Sequence, residues 1–203
     1  MELKNKTVVF LGSSVTEGSA SNGWSMCECV RETLGCTAVK WAVSGTTLAD
    51  IDDMSYVSRF LKEIDAQEKC DHFICQLSTN DANKNLPLGK IGETKNKDAF
   101  DTKTIIGAIE FIIAMAKEKW GCPVSFYTGT YFESEAYQNM VDALRELSKK
   151  WDVGIIDLWD DKEMRNVNPE DYAKYMHDNV HPNKIGYAEW WGPKFIDYLK
   201  NNM

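Results

Sequence analysis

Two widely separated stretches carry the side chains from which a nucleophile and its base could be assembled. The first, "GSSVTEG" at 12–18, closes a short apolar run and offers two adjacent hydroxyls, Ser13 and Ser14. An ordinary reading makes one of them the cap of a following helix, accepting a backbone N–H bond. The chemical reading makes one of them a nucleophile held where strand, turn and helix meet. A hydroxyl attacks well only when a neighbouring base takes its proton. The second stretch, "HDNVHP" at 177–182, supplies the candidate base, His181, with Asp178 three residues before it. At that spacing a single turn brings the carboxylate to the imidazole, fixing its tautomer and stabilising the imidazolium as it forms. His177 adjoins Asp178, but neighbouring side chains point apart. His72 lies inside an apolar run, where packing is its role.

Other chemistries find less support. "GSSVTEG" lacks the lysine of a phosphate-binding loop, does not match G-x-G-x-x-G, and is not the G-x-S-x-G elbow, since Thr16 stands two places after Ser14. The six cysteines (Cys27, Cys29, Cys36, Cys70, Cys75, Cys122) form no CxxC pair, and with three histidines no structural zinc spacing arises. They read as free thiols. No metal and no cofactor is expected.

The elements that must position these groups alternate. Strand candidates are "TVVFLG" (7–12), "TAVKWAVSG" (37–45), "HFICQLS" (72–78), "PVSFYTGT" (123–130) and "VGIIDL" (153–158). Segments with helical spacing lie between and after them, at about 23–35, 48–64, 102–119, 134–150 and 184–200. The clearest is "TKTIIGAIEFIIAMAKEKWG", with Gly121 as its stop. Such alternation predicts an α/β fold, a three-layer α/β/α sandwich around a mainly parallel sheet of about five strands. The polar stretch 79–101 has no period and reads as a long functional loop, a disordered excursion being the alternative. Ligands of parallel α/β sheets bind beyond the carboxyl ends of the strands. Those ends deliver "GSSVTEG", "VSGTT", "STNDAN" and "TGTYF".

Bulk properties narrow the partners. A chain of 203 residues with 43% hydrophobic content suits one domain, 1–203. The net charge of -8 argues against a grip on nucleic acid or anionic membrane, both of which need clustered Lys and Arg. A small neutral molecule fits better. The N-terminal apolar run is too short for a signal-peptide core and no stretch approaches the roughly 20 apolar residues of a membrane span, so a cytoplasmic protein is expected.

Four pieces, in chain order, resemble the blocks of the GDSL-type SGNH hydrolase family, whose name lists its Ser, Gly, Asn and His. They are "FLGSSVTEG", "AVSGTT", "STND" and "DNVHP". The resemblance implies Ser14 as nucleophile, Asp178 and His181 as the rest of a triad, and an oxyanion hole from the N–H groups of Ser14 and Gly45 and the Asn80 amide. Without it, Asn80 and Asp81 read equally well as an Asx turn after a strand. Three features depart from the family pattern: Ser13 stands where aspartate is usual, Ser78 where glycine is usual, and "KWAVSG" at 40–45 lacks the asparagine that commonly precedes the second-block glycine.

The implied activity is hydrolysis of a small-molecule ester through an acyl-enzyme. Short acyl groups, acetyl on a carbohydrate foremost, fit a chain with no lipid-binding lid. Trp24, Trp41, Tyr187, Trp190 and Trp191, near the blocks in sequence, could line such a site or simply pack helices on the sheet. The alternatives are a lysophospholipase or thioesterase of the same family, and a non-catalytic or flavodoxin-like binding domain.

Overall fold

The computed structural model describes residues 3–203. Apolar runs make its strands: β1 (Thr7–Gly12), β2 (Thr37–Ala42), β3 (His72–Gln76), β4 (Val124–Tyr127) and β5 (Gly154–Ile156). All pair in parallel, in the order β2-β1-β3-β4-β5. β1 and β3 are buried throughout, as strands covered on both faces must be, with apolar centres and polar His72 and Gln76 at the two ends of β3. At the edge, β2 alternates and is only half-buried.

Side chains that alternate across the strands feed two cores. Val9, Leu11, Phe73 and Phe126 face α3 (Tyr56–Glu63), α5 (Ile105–Trp120) and α6 (Glu135–Trp151). Val8, Phe10, Ile74 and Tyr127 face α2 (Met26–Leu34) and α9 (Gly192–Asn202). The result is the expected sandwich. Shorter helices complete it: α1 (Ser14–Glu17), α4 (Thr79–Asn83), α7 (Lys162–Arg165) and α8 (Pro169–Tyr175), with a π-helical segment, Gly186–Trp191, leading into α9.

The departures from sequence expectation lie mainly at the carboxyl edge. β2 stops at Ala42, β3 at Gln76 and β4 at Tyr127, short of the apolar runs that encode them, because the chain turns there into loops that leave the sheet. The stretch 79–101 is not one loop: it begins as α4 and is then pinned. Pro87 and Leu88 carbonyls accept from Ile105 and Ile106 N–H at 3.0 and 2.9 Å. Fully buried Glu110 accepts from Gly92 N–H (2.8 Å) and Trp151 Nε1 (2.9 Å), and pairs with Lys150. Helices α7 and α8 escape the periodicity because each is only one or two turns long.

Candidate active site

The strand order reverses direction between β1 and β3, and the crevice beyond their carboxyl ends is where such a sheet binds ligands. The chain leaves β1 at Gly12, where a Cβ would lie 1.7 Å from Thr16 Oγ1, so only glycine lets strand pass so tightly into α1. One buried acceptor holds that turn. Gln76 Oε1 receives the Ser13 N–H (2.9 Å), the Thr16 hydroxyl (2.8 Å) and the Tyr127 hydroxyl (3.1 Å). Ser13 occupies the cap position, yet its side chain makes no capping bond, so the ordinary reading of the paired serines fails. Ser14 is the first residue of α1, where the N–H has no acceptor within the helix.

The candidate base comes from the far end of the chain. Ser14 Oγ lies 2.7 Å from His181 Nε2, although 167 residues separate them. On the other side of the ring, Nδ1 lies 2.9 and 2.8 Å from the two carboxylate oxygens of Asp178. The Asp178 Oδ1 also accepts from the Val180 and His181 backbone N–H groups, both at 2.8 Å, which folds the three-residue spacing into a closed turn. Burial alone would raise the Asp178 pKa, but these backbone donors and the imidazole outweigh it and hold the carboxyl below its usual range. An antiparallel bridge between Met176 and Pro182 closes the loop at its base. The Tyr187 hydroxyl donates to Val15 O at 2.7 Å, fastening the C-terminal segment onto α1. His177 stays exposed, its backbone N–H spent on the His181 carbonyl at 2.8 Å.

A third side of the site is built from the loop after β2 and from α4. Gly45 is exposed with φ +78, a left-handed conformation that favours glycine. Asn80 Nδ2 donates to Thr46 O at 2.9 Å, and since an amide carries two N–H groups the second is left to serve elsewhere. Asp81 makes no local Asx turn. Its fully buried carboxylate accepts from Leu48 N–H (2.7 Å) and Ala49 N–H (2.9 Å), locking the Gly45 loop to α4. Burial raises its pKa against the pull of those donors and of Ser78.

Two further residues shape the site and were missed in the sequence. Arg59, 7% exposed, donates to Gly12 O (2.7 Å), Trp41 O (2.9 Å) and Thr46 Oγ1 (3.1 Å), placing a guanidinium beneath both the Ser14 turn and the Gly45 loop. The signal was a charge beside Tyr56 and Phe60 on the apolar face of a helix. Gln76 is the other, legible as an amide closing an apolar strand. Of the candidate lining aromatics, Tyr187 and Trp191 are fully buried in the α2/α9 core, while Trp41 packs on Phe60 and Trp120. Trp190 stacks on Tyr175 at 5.4 Å, and Trp24 lies under the Lys184 ammonium. A hollow of about 310 Å³, walled by Tyr131, Arg165 and Tyr172 together with the apolar Met164, Val167 and Pro169, opens between the end of β4 and the α7–α8 region that leads to the His181 loop.

The arrangement can move a proton from a hydroxyl to an imidazole whose far nitrogen is held by a carboxylate. Among the described residues no three His, Cys, Asp or Glu side chains converge as a metal site, and no helix is long and apolar enough to cross a membrane. The profile of the GDSL-like Lipase/Acylhydrolase family matches residues 10–189. No curated protein matches the chain in sequence. Among solved structures, a protein from Lactobacillus plantarum is similar over the full length of both chains, with 19% identity and a TM-score of 0.82. A carbohydrate acetylesterase family member from Sinorhizobium meliloti shares 13% identity over 97% of this chain and 98% of its own, TM-score 0.63. A family two carbohydrate esterase from Clostridium thermocellum, in complex with cellohexaose, shares 13% over 99% of this chain and 65% of its own, TM-score 0.68.

Proposed function

Because the chain belongs to the GDSL-like Lipase/Acylhydrolase family, we propose that it is a serine esterase cleaving short acyl esters of small molecules, acetyl esters of carbohydrates foremost. The observation that carries this reading is the continuous chain Ser14 Oγ–His181–Asp178, with contacts of 2.7 and 2.8 Å. Ser14 Oγ attacks the ester carbonyl as His181 Nε2 takes its proton. Asp178 holds the Nδ1–H and balances the imidazolium. The tetrahedral intermediate collapses as His181 returns the proton to the leaving alcohol, and water, activated by the same imidazole, clears the acyl-enzyme. The oxyanion is met by the N–H groups of Ser14 and Gly45 and the free amide hydrogen of Asn80, each such donor contributing about 3–4 kcal/mol to the transition state. The buried Arg59 guanidinium adds fixed positive charge beneath them.

The substrate class is supported by the two carbohydrate esterases among similar structures and by the hollow beside the His181 loop. Its wall mixes Met164, Val167 and Pro169 with Tyr131, Tyr172, Arg165 and Thr130, so it offers apolar surface for an acyl group or a sugar face and a few hydrogen-bonding groups beside it. The test is a series of esters of one leaving group with acyl chains from two to twelve carbons, run beside acetate release from acetylated oligosaccharides. Rates should peak at two to four carbons and acetate should be released. A peak at eight or more, with no acetate from any sugar, selects the lipase or thioesterase activity instead.

A further inference from the structure

All six cysteines are free, and four stand alone in the core. Cys27 and Cys29 lie in the apolar core with only the carbonyls of Thr16 and Tyr187 as hydrogen-bond acceptors, and burial pushes both thiols up to about 12; Cys75 is likewise raised by burial. Cys36 rests against the Val30 carbonyl. Such thiols carry almost no thiolate at neutral pH and react slowly.

Cys70 and Cys122 differ. Their sulfurs lie 3.7 Å apart although 52 residues separate them in sequence. Cys70 precedes β3, and Cys122 sits between the Gly121 cap of α5 and the start of β4. Pairing of those strands, Phe73 opposite Val124, brings the two loops together. The Phe73 N–H bond to Pro123 O (3.0 Å) and the Trp120 Nε1 bond to Gln67 O (2.9 Å) hold them there. Cys70 is buried and Cys122 only half-buried. The Cys70 S–H beside Cys122 stabilises its thiolate, more than burial opposes it, so Cys122 titrates below the usual thiol value.

We propose that Cys70 and Cys122 form a peroxide-sensitive pair that closes to a disulfide stapling β3 to β4 at their amino ends. The Cys122 thiolate attacks a peroxide oxygen, the O–O bond breaks and hydroxide leaves, giving a sulfenic acid. The Cys70 sulfur then attacks Cys122 Sγ, the S–O bond breaks, and water departs as the S–S bond forms. Two thiols lose two electrons and two protons, and peroxide is reduced to two waters. The sulfurs need only close from 3.7 Å to about 2.05 Å. Ser14 and Asn80 lie at the opposite, carboxyl ends of the strands, about 17 Å away along β3, so the staple leaves the candidate active site untouched and stands apart from the functional reading.

The test is hydrogen peroxide treatment of the purified protein, followed by alkylation, thiol counting under denaturing conditions and peptide mapping. The free thiol count should fall from six to four, a cross-linked peptide should join Cys70 to Cys122, and the mass should drop by about 2 Da for the two hydrogens. The oxidised protein should melt about 5 °C or more higher, reversibly by dithiothreitol, because the link constrains a long loop of the unfolded chain. In Cys70→Ser no cross-link forms and Cys122 is instead labelled by dimedone; Cys70→Ala serves if the serine variant folds poorly. Retention of all six thiols, oxidation that begins at Cys27, Cys29, Cys36 or Cys75, or a cross-link between molecules only would each overturn the proposal.

Discussion

Removing the Ser14 hydroxyl takes one oxygen from a turn whose shape is held by Gly12 and by the Gln76 acceptor, neither of which it touches. Ser14→Ala should therefore fold as the native chain does, with Tm within about 2 °C, while turnover on an activated acetate ester falls by about 10³-fold or more. Asp178→Asn should lose less. Its amide oxygen can still accept from Val180 and His181, so the loop survives, but the Nδ1–H loses a full negative charge and the ring its preferred tautomer; a drop of about 10² to 10⁴ is expected. Near-native turnover in Ser14→Ala would remove the nucleophile assignment, whatever its Tm. One departure from the family pattern also finds a reason at this scale. Ser13 is fully buried, so an aspartate there would have to bury a second carboxylate, and burial disfavours ionisation as it already does for Asp81. A neutral hydroxyl avoids that cost.

Elements converge on Gln76. Its Oε1 ties the last residue of β3 to the β1–α1 turn and, through Tyr127, to β4. Gln76→Met keeps the approximate volume but leaves buried donors of Ser13, Thr16 and Tyr127 without that acceptor. Each unpaired donor costs roughly 1–3 kcal/mol, so a destabilisation of about 3 kcal/mol is expected, tempered by the contact Thr16 and Tyr127 already make with one another. Activity should fall further than stability alone explains, because the turn that aims Ser14 loosens. Urea unfolding and kcat, measured side by side on folded protein, separate the two effects; unchanged kcat with lowered stability would make Gln76 a packing residue only.

Across the whole molecule, two cores press on one sheet, and His72 is buried where β3 begins. Its Nε2 pairs with Ser125 Oγ at 2.8 Å and its Nδ1 has no partner, so the ring is held neutral and burial lowers its pKa to about 4. In the unfolded chain it titrates near 6.5. Its contribution to stability is therefore complete above about pH 6.5, is lost progressively as pH falls from 6.5 to 4, and is constant below, at about 1.4 kcal/mol per unit and roughly 3 kcal/mol in all. Unfolding free energies of native protein and His72→Gln, compared at pH 7, 5.5 and 4, should diverge at pH 7 and converge on acidification. A constant difference across that range would mean that His72 titrates alike folded and unfolded.

The sheet could be read directly from the chain. Apolar runs of strand length, alternating with amphipathic segments, admit few other ways to bury both faces, and the run at 7–12 coincides with β1. It also carried the four separated blocks, because serine at a strand end and aspartate three residues before histidine are local patterns. What those patterns touch came only with the fold. The contact of Ser14 with His181 spans 167 residues, and the locking of the Gly45 loop by Asp81 joins elements with no sequence relation. Gln76 and Arg59 stand out in the sequence only as polar residues in apolar surroundings, and their place in the site comes from the fold: a buried polar side chain takes its meaning from whichever backbone groups the fold brings to it. The sulfur pair of Cys70 and Cys122 belongs here too. Nothing in their spacing distinguishes them from the four isolated thiols until β3 and β4 lie side by side.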